Sequence, residues 1–417
     1  MRRTTFTLLA GLAFGCASDP EPGAGEDETG TTSADATSLG EAGEPPADDT
    51  TSVDPAGSSD GGSSTAAGDP ACDALRSELE EVAAAYHDDL PLVGLSVAME
   101  TGGCAAWSTA WGVADVAADT PLTPEHLLRA GSVTKSYTAA LILKLTEEGL
   151  LSLDDTLGEF AIDIPSADQI TIRQLLNHTS GLADYQNNPA FGMAANDDPG
   201  RSWTPQELID FTVDLGAVGA PGAAHAYSNA NYVLAALVAE EVTGVGYAEA
   251  LRTRVLDPNG LQHTYLEDEE TWREPMAIGY VVSDGGMPVD SSGLYHGSSV
   301  WSSGALVATA EDVRAWMSRL LSSDFLDAES QAALAEFVPD PATGGYGLGI
   351  FEAQAGGITA FGHNGAVLGF QAAAFVHPGS GASVSVLHNQ LGLSAAGGLA
   401  SDPTALALEL LSVAAAQ

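Results

Sequence analysis

Lysine is almost missing from this 417-residue chain: Lys135 and Lys144 are the only two. Lysine and arginine together number 13 against 57 acidic side chains, for a net charge of −44. So few cations cannot assemble a basic patch that neutralises phosphates, which excludes nucleic acid as a partner. Cysteine is scarce too, with three residues, and neither their spacing nor any of the nine histidines matches a zinc motif or HExxH. Neither a metal nor another cofactor is therefore expected. The apolar run Phe6 to Gly15 is too short to span a bilayer, and no GxSxG elbow is present, so an ordinary α/β-hydrolase nucleophile is absent.

The N-terminus does carry a leader pattern. Arg2 and Arg3 precede the apolar run and Cys16 follows it, so residues 1–15 read as a secretory signal. Gly15-Cys16 resembles a lipoprotein cleavage site, with Ala13 and Phe14 in place of its usual residues. Lipidation of Cys16 is the expectation, with plain signal cleavage nearby as the alternative. The membrane then enters only through that anchor, and an exported protein of the cell envelope is expected. Residues 17–71 hold no Lys, Arg or aromatic residue and cannot bury enough apolar surface to offset ordering entropy, so residues 16–71 read as a disordered acidic linker. With Cys16 modified, Cys72 and Cys104 are left as an even pair in an exported chain and are expected to form a disulfide.

Residues 72–417 read as one mixed α and β domain. A helix is predicted from Asp73 to about His87, and strands at 93–99 and 105–113 around the Gly102-Gly103 turn. A largely helical region follows, through roughly 204–243, with one helix starting near Tyr232. Strand patterns return at 347–353, 358–362, 369–377 and 382–389, and a closing helix spans about 403–415. Strands from both ends of the chain should join one antiparallel sheet.

Three short motifs carry chemistry. Ser132-Val133-Thr134-Lys135 opens an apolar helical stretch, and residues three apart share a helix face. An amine thus sits beside a hydroxyl that needs a base before it can act as a nucleophile. Alone, the same pattern suits a serine that merely caps its helix. Tyr227-Ser228-Asn229 places a phenol and a carboxamide on one side of an extended segment. The phenol can relay protons, and the carboxamide can donate to a substrate carbonyl while accepting from Lys135. His363-Asn364-Gly365 stands among strand glycines, where glycine marks close approach of another backbone. His363 is placed to polarise Tyr227 or the substrate.

In this order the three motifs resemble the signature of the penicillin-recognising serine hydrolases, which include serine D-alanyl-D-alanine carboxypeptidases, class C β-lactamases and related esterases. The resemblance extends to Leu128-Arg129-Ala130-Gly131, to Leu175-Leu176-Asn177-His178-Thr179-Ser180-Gly181-Leu182 and to Tyr346-Gly347-Leu348-Gly349. It implies an α+β, β-lactamase/transpeptidase-like fold, an antiparallel sheet flanked by helices with an inserted, mainly helical region. It also implies roles. Ser132 becomes acylated, Lys135 and Tyr227 share base and acid work, Asn229 binds the substrate amide, and His363 supports Tyr227 and the leaving group. The backbone N–H groups of Ser132 and Ala366, the latter just past Gly365, would hold the oxyanion, and Trp301 would wall the pocket.

Departures from the pattern bear on the substrate, a small molecule or a peptidoglycan peptide. Asn364 and Ala366 stand where carboxypeptidases carry hydroxyl residues. After Gly349 the chain runs Ile350-Phe351-Glu352, with no arginine to grip a terminal carboxylate. A serine-type D-Ala-D-Ala carboxypeptidase is the nearest named activity, with an esterase, amidase or β-lactamase as alternatives. A noncatalytic peptidoglycan-binding protein of the same fold is the alternative outside catalysis.

Overall fold

The computed structural model describes residues 69–90, 92–283, 286–394 and 399–417. The signal segment, Cys16 and nearly all of the acidic linker lie outside these residues. Helix α1 (Pro70–Asp89) begins two residues inside the stretch assigned to the linker, because Asp69 caps it through the Ala71 N–H and Pro70 occupies its first turn.

In chain order, β1 (Gly94–Glu100), β2 (Trp107–Asp115) and β3 (Thr120–Pro121) precede α2 (Thr134–Glu147). The helical region contains α3 (Pro189–Asp197), α4 (Pro205–Leu215) and α5 (Asn229–Thr243), and α6 (Ala310–Leu320) follows it. The chain closes with β4 (Phe351–Ala355), β5 (Ile358–Val367), β6 (Phe370–His377), β7 (Ala382–His388) and α7 (Pro403–Ala415). These seven strands form one sheet in the order β3-β2-β1-β7-β6-β5-β4. The β1–β7 pairing, with Leu95 opposite His388, joins the two ends of the chain, as the late strand patterns predict.

Alternation along the strands builds two cores. Leu95, Val97 and Met99 of β1 and Phe375 of β6 pack with Leu79 of α1 and Leu406 and Leu410 of α7. Ala98, Ala372, Ala374 and Val376 face the other way, into the larger core that holds Val313 and Met317 of α6. Small residues on this second face let α6 pack close on the sheet, and α2, which Trp316 of α6 reaches through Ser136, is buried almost all round, as a central helix must be. Cys72 and Cys104 form a disulfide with Cα atoms 5.6 Å apart, tying α1 to the β1–β2 turn.

Two of the boundaries that differ from the sequence reading lie beside the three motifs. The strand expected from Gly347 starts instead at Phe351, because Gly349 turns the chain at φ 77° and a Cβ there would meet the Lys135 carbonyl at 2.8 Å. Helix α5 starts at Asn229, three residues earlier than expected, directly after extended Ser228.

Candidate active site

Ser132 lies in a single 3₁₀ turn, Gly131–Val133, that leads into α2. Neither the turn nor the helix has a side-chain cap. The capping alternative is thereby removed, and the Ser132 hydroxyl is engaged elsewhere. Lys135 Nζ donates to Ser132 Oγ at 3.0 Å, to Asn229 Oδ1 at 2.7 Å and to the Ser303 carbonyl at 2.8 Å. Tyr227 Oη lies 2.9 Å from the same Oγ, and Lys135 Nζ sits 4.8 Å from the Tyr227 ring centroid. Lys135 of α2 and Tyr227 at the α5 entrance thus converge on one hydroxyl, while the Trp301–Ser303 turn holds the ammonium.

Strand β5 abuts this turn backbone to backbone. A Cβ on Gly365 would lie 2.6 Å from Ser132 N, and one on Gly131 would lie 2.8 Å from Ala366 N. The glycine after His363 is therefore required by space, and the Ser132 and Ala366 amides come together beside the nucleophile.

Asn229 reaches Lys135 as expected, but its donor half is taken. Nδ2 donates to Asp184 Oδ2 at 2.8 Å and to Gln186 Oε1 at 3.2 Å. The amide-donating role expected of Asn229 therefore requires the longer Gln186 contact to yield. Asp184 also accepts from the Gln186 N–H. Burial pushes its carboxyl pKa up, opposed by those hydrogen bonds and by Lys135.

His363 does not meet Tyr227 directly through its ring nitrogens. Nδ1 faces the Asn364 carbonyl and so carries the proton, which leaves Nε2 to accept from Tyr346 Oη at 2.9 Å. It is 2% exposed, and burial, reinforced by Lys135, lowers its pKa to about 3. The expected support of Tyr227 and the leaving group is accordingly replaced by a neutral, buried link through Tyr346, whose ring centroid stands 6.3 Å from that of Tyr227. The ring of His178 packs at a tilt against Tyr227, centroids 4.2 Å apart and planes inclined by 34°. Its Nδ1 takes the Ser228 N–H, and burial pushes its pKa well down.

Trp301 does not wall the site as expected. Its indole packs edge-on against Tyr247 at 5.3 Å and donates to Glu269 at 2.6 Å. Its backbone sits at φ 36°, a left-handed value unusual for tryptophan, and two residues later the Ser303 carbonyl takes the Lys135 ammonium. The contribution of this turn is main chain. Asp184 and Gln186 escaped the motif reading, although both closely follow the noted Ser180-Gly181-Leu182; Ser303 stands in Ser302-Ser303-Gly304-Ala305, which also resembles the family, but its role as a carbonyl acceptor is not among those the resemblance implies.

Fold and site together are those of the penicillin-recognising serine hydrolases. The chain belongs to the Beta-lactamase family, whose model matches residues 79–409. It is 32% identical over 185 residues to Penicillin-binding protein 4* of Bacillus subtilis, covering 43% of this chain and 40% of that protein. It is 28% identical over 195 residues to Teichoic acid D-alanine hydrolase of Staphylococcus aureus, covering 46% of each. The chain thus matches less than half the length of these curated relatives. A solved D-amino acid amidase from Ochrobactrum anthropi SV3 superposes with a TM-score of 0.73 at 26% identity, over 82% of this chain and 97% of that one.

Proposed function

We propose that this protein is an exported, lipid-anchored serine hydrolase that cleaves D-aminoacyl esters and amides through an acyl-enzyme on Ser132. The observation that carries the reading is the Ser132 hydroxyl within hydrogen-bond reach of both Lys135 Nζ and Tyr227 Oη. In the reactive form the Tyr227 phenolate, held by the neighbouring Lys135 ammonium, takes the Ser132 proton as Oγ bonds to the substrate carbonyl carbon. The Ser132 and Ala366 amides stabilise the oxyanion. The bond to the leaving group then breaks as Tyr227 returns a proton to it, and water repeats the cycle on the acyl-enzyme.

The names of the relatives support D-configured substrates: one acts on D-alanyl teichoic acid, another on D-amino acid amides. The stretch after Gly349 lacks an arginine, which favours uncharged leaving groups over the free carboxylate of a D-Ala-D-Ala peptide, since a charge-assisted contact contributes about 1.5–3 kcal/mol. The Cys72–Cys104 disulfide supports an oxidising compartment.

The test compares a D-alanyl anilide, a D-Ala-D-Ala peptide and a chromogenic cephalosporin on the wild type and Ser132→Ala, with intact mass recorded after fluorophosphonate treatment. Turnover led by the anilide, abolished in Ser132→Ala, is expected, along with a single adduct on Ser132. Fastest turnover of the peptide restores the carboxypeptidase reading. No turnover and no adduct leaves a binding protein.

A further inference from the structure

A cavity of about 100 Å³ opens beside Ala366. Its walls are Phe191 and Ala195 of α3, Trp203 ahead of α4, Tyr295 and Val300, and Val367 past the oxyanion amide. No Lys, Arg, Asp or Glu lines it. Its polar edge includes Gln186, already tied to Asn229, and His296, already paired with Asp268 at 3.0 Å.

The walls are held from behind. The Phe191 ring stands 4.8 Å from Trp203, 5.2 Å from Tyr185 and 5.7 Å from Phe211, an interlocked aromatic set that keeps the cavity open without a ligand. For scale, an apolar cavity of about 150 Å³ stays dry and accepts benzene. The present one takes a branched aliphatic group whole, or a phenyl ring with one edge in the mouth.

Its position says which part of a substrate enters. Tyr227, which protonates the leaving group, does not line the cavity, and neither does His363. Ala366, whose amide holds the oxyanion, does. With the carbonyl carbon at Ser132 Oγ and its oxygen at Ala366 N, the leaving group lies toward Tyr227. The substituent kept on the enzyme then lies toward Val300 and Val367.

We propose that this cavity receives the apolar side chain of the retained acyl residue, making the protein selective for D-leucyl, D-phenylalanyl and similar substrates over D-alanyl ones. The inference rests on the acyl-enzyme reading of Ser132. Its physical basis is the difference in apolar surface buried, which in an enzyme pocket separates substrates differing by one methylene by about 10–200-fold.

The experiment measures kcat/KM for the p-nitroanilides of D-alanine, D-leucine, D-phenylalanine and L-leucine with the wild-type protein and with Ala195→Trp, which fills the cavity. D-Leucyl turnover at least tenfold above D-alanyl is expected in the wild type, and the ratio collapses toward one in Ala195→Trp. Equal D-leucyl and D-alanyl values in an active wild-type enzyme overturn the pocket assignment and leave the Ser132 chemistry standing. Absence of turnover across the series, with no adduct on Ser132, overturns the acyl-enzyme reading and this one with it. If Ala195→Trp fails to fold by circular dichroism, the wild-type series decides alone.

Discussion

Asp184 and Asn229 meet at 2.8 Å, and that contact decides which way the Asn229 carboxamide faces: the amide nitrogen toward the carboxylate, the oxygen toward Lys135. A flipped Asn229 would set its nitrogen against an ammonium and its oxygen against a carboxylate. The buried acid therefore orients the group that holds the amine in place.

Removing it should be felt in both stability and rate. Asp184→Ala leaves a buried amide donor without its partner, a loss of about 1–3 kcal/mol. Denaturant midpoints should fall accordingly, with kcat/KM reduced at least tenfold. Asp184→Asn can still accept from Asn229 and should retain most of both. An alanine variant as active as the wild type would show that the carboxylate has no orienting part.

Tyr227→Phe removes one hydroxyl from a ring packed against His178 and leaves the packing intact. General acid and base groups contribute about 10²–10⁴-fold, so kcat should fall by that range while the thermal midpoint barely moves. Acylation by a fluorophosphonate, followed by mass, separates a slow first step from a slow second one.

Gly365→Ala brings a Cβ to 2.2 Å from the Ala130 carbonyl and 2.6 Å from Ser132 N. Strand β5 must shift away, and a misplacement on the order of 1 Å costs about 10²-fold in rate. Activity measured beside circular dichroism should show a folded, nearly inactive protein. Wild-type kcat would mean that the strand does not set the oxyanion geometry.

Acid should destabilise the fold through its buried histidines. Burial holds His363 at about 3 and His388 at about 4, below the ordinary value of about 6.5. A depressed base is neutral in the folded state, so its stabilising effect is complete above about pH 6.5 and declines as pH falls toward the folded value. For His363 alone the loss by pH 5 is about 2 kcal/mol. Urea midpoints at pH 7 and pH 5 should differ in that direction, and His363→Gln should flatten the slope. Identical midpoints would contradict neutral, buried rings.

Much of this arrangement is readable in the sequence, and what escapes does so for a definite reason. Local periodicity exposes α2 and the late strands, and the i, i+3 rule already places Lys135 beside Ser132. The link from Lys135 to Ser303 spans 168 positions and that from Asn229 to Asp184 spans 45. Neither a carbonyl nor a lone carboxylate announces such a partner in a pattern. Trp301 misleads because a large aromatic in the right segment does not reveal its rotamer, and the structure turns it toward Glu269. His363 is correctly placed along the chain, but its partner, Tyr346, stands 17 positions upstream in another segment, and the motif does not announce it.

The meeting of Gly131 with Gly365 is a junction of bare main chain, and its width is fixed by atoms that every amino acid shares. No exchange of one side chain for another can widen it gradually, because the first methyl added already collides. Whatever variety of substrates such a scaffold acquires over time must be written elsewhere, in the exchangeable rings and methyls around Phe191 and Val367, while the seam itself stays unedited.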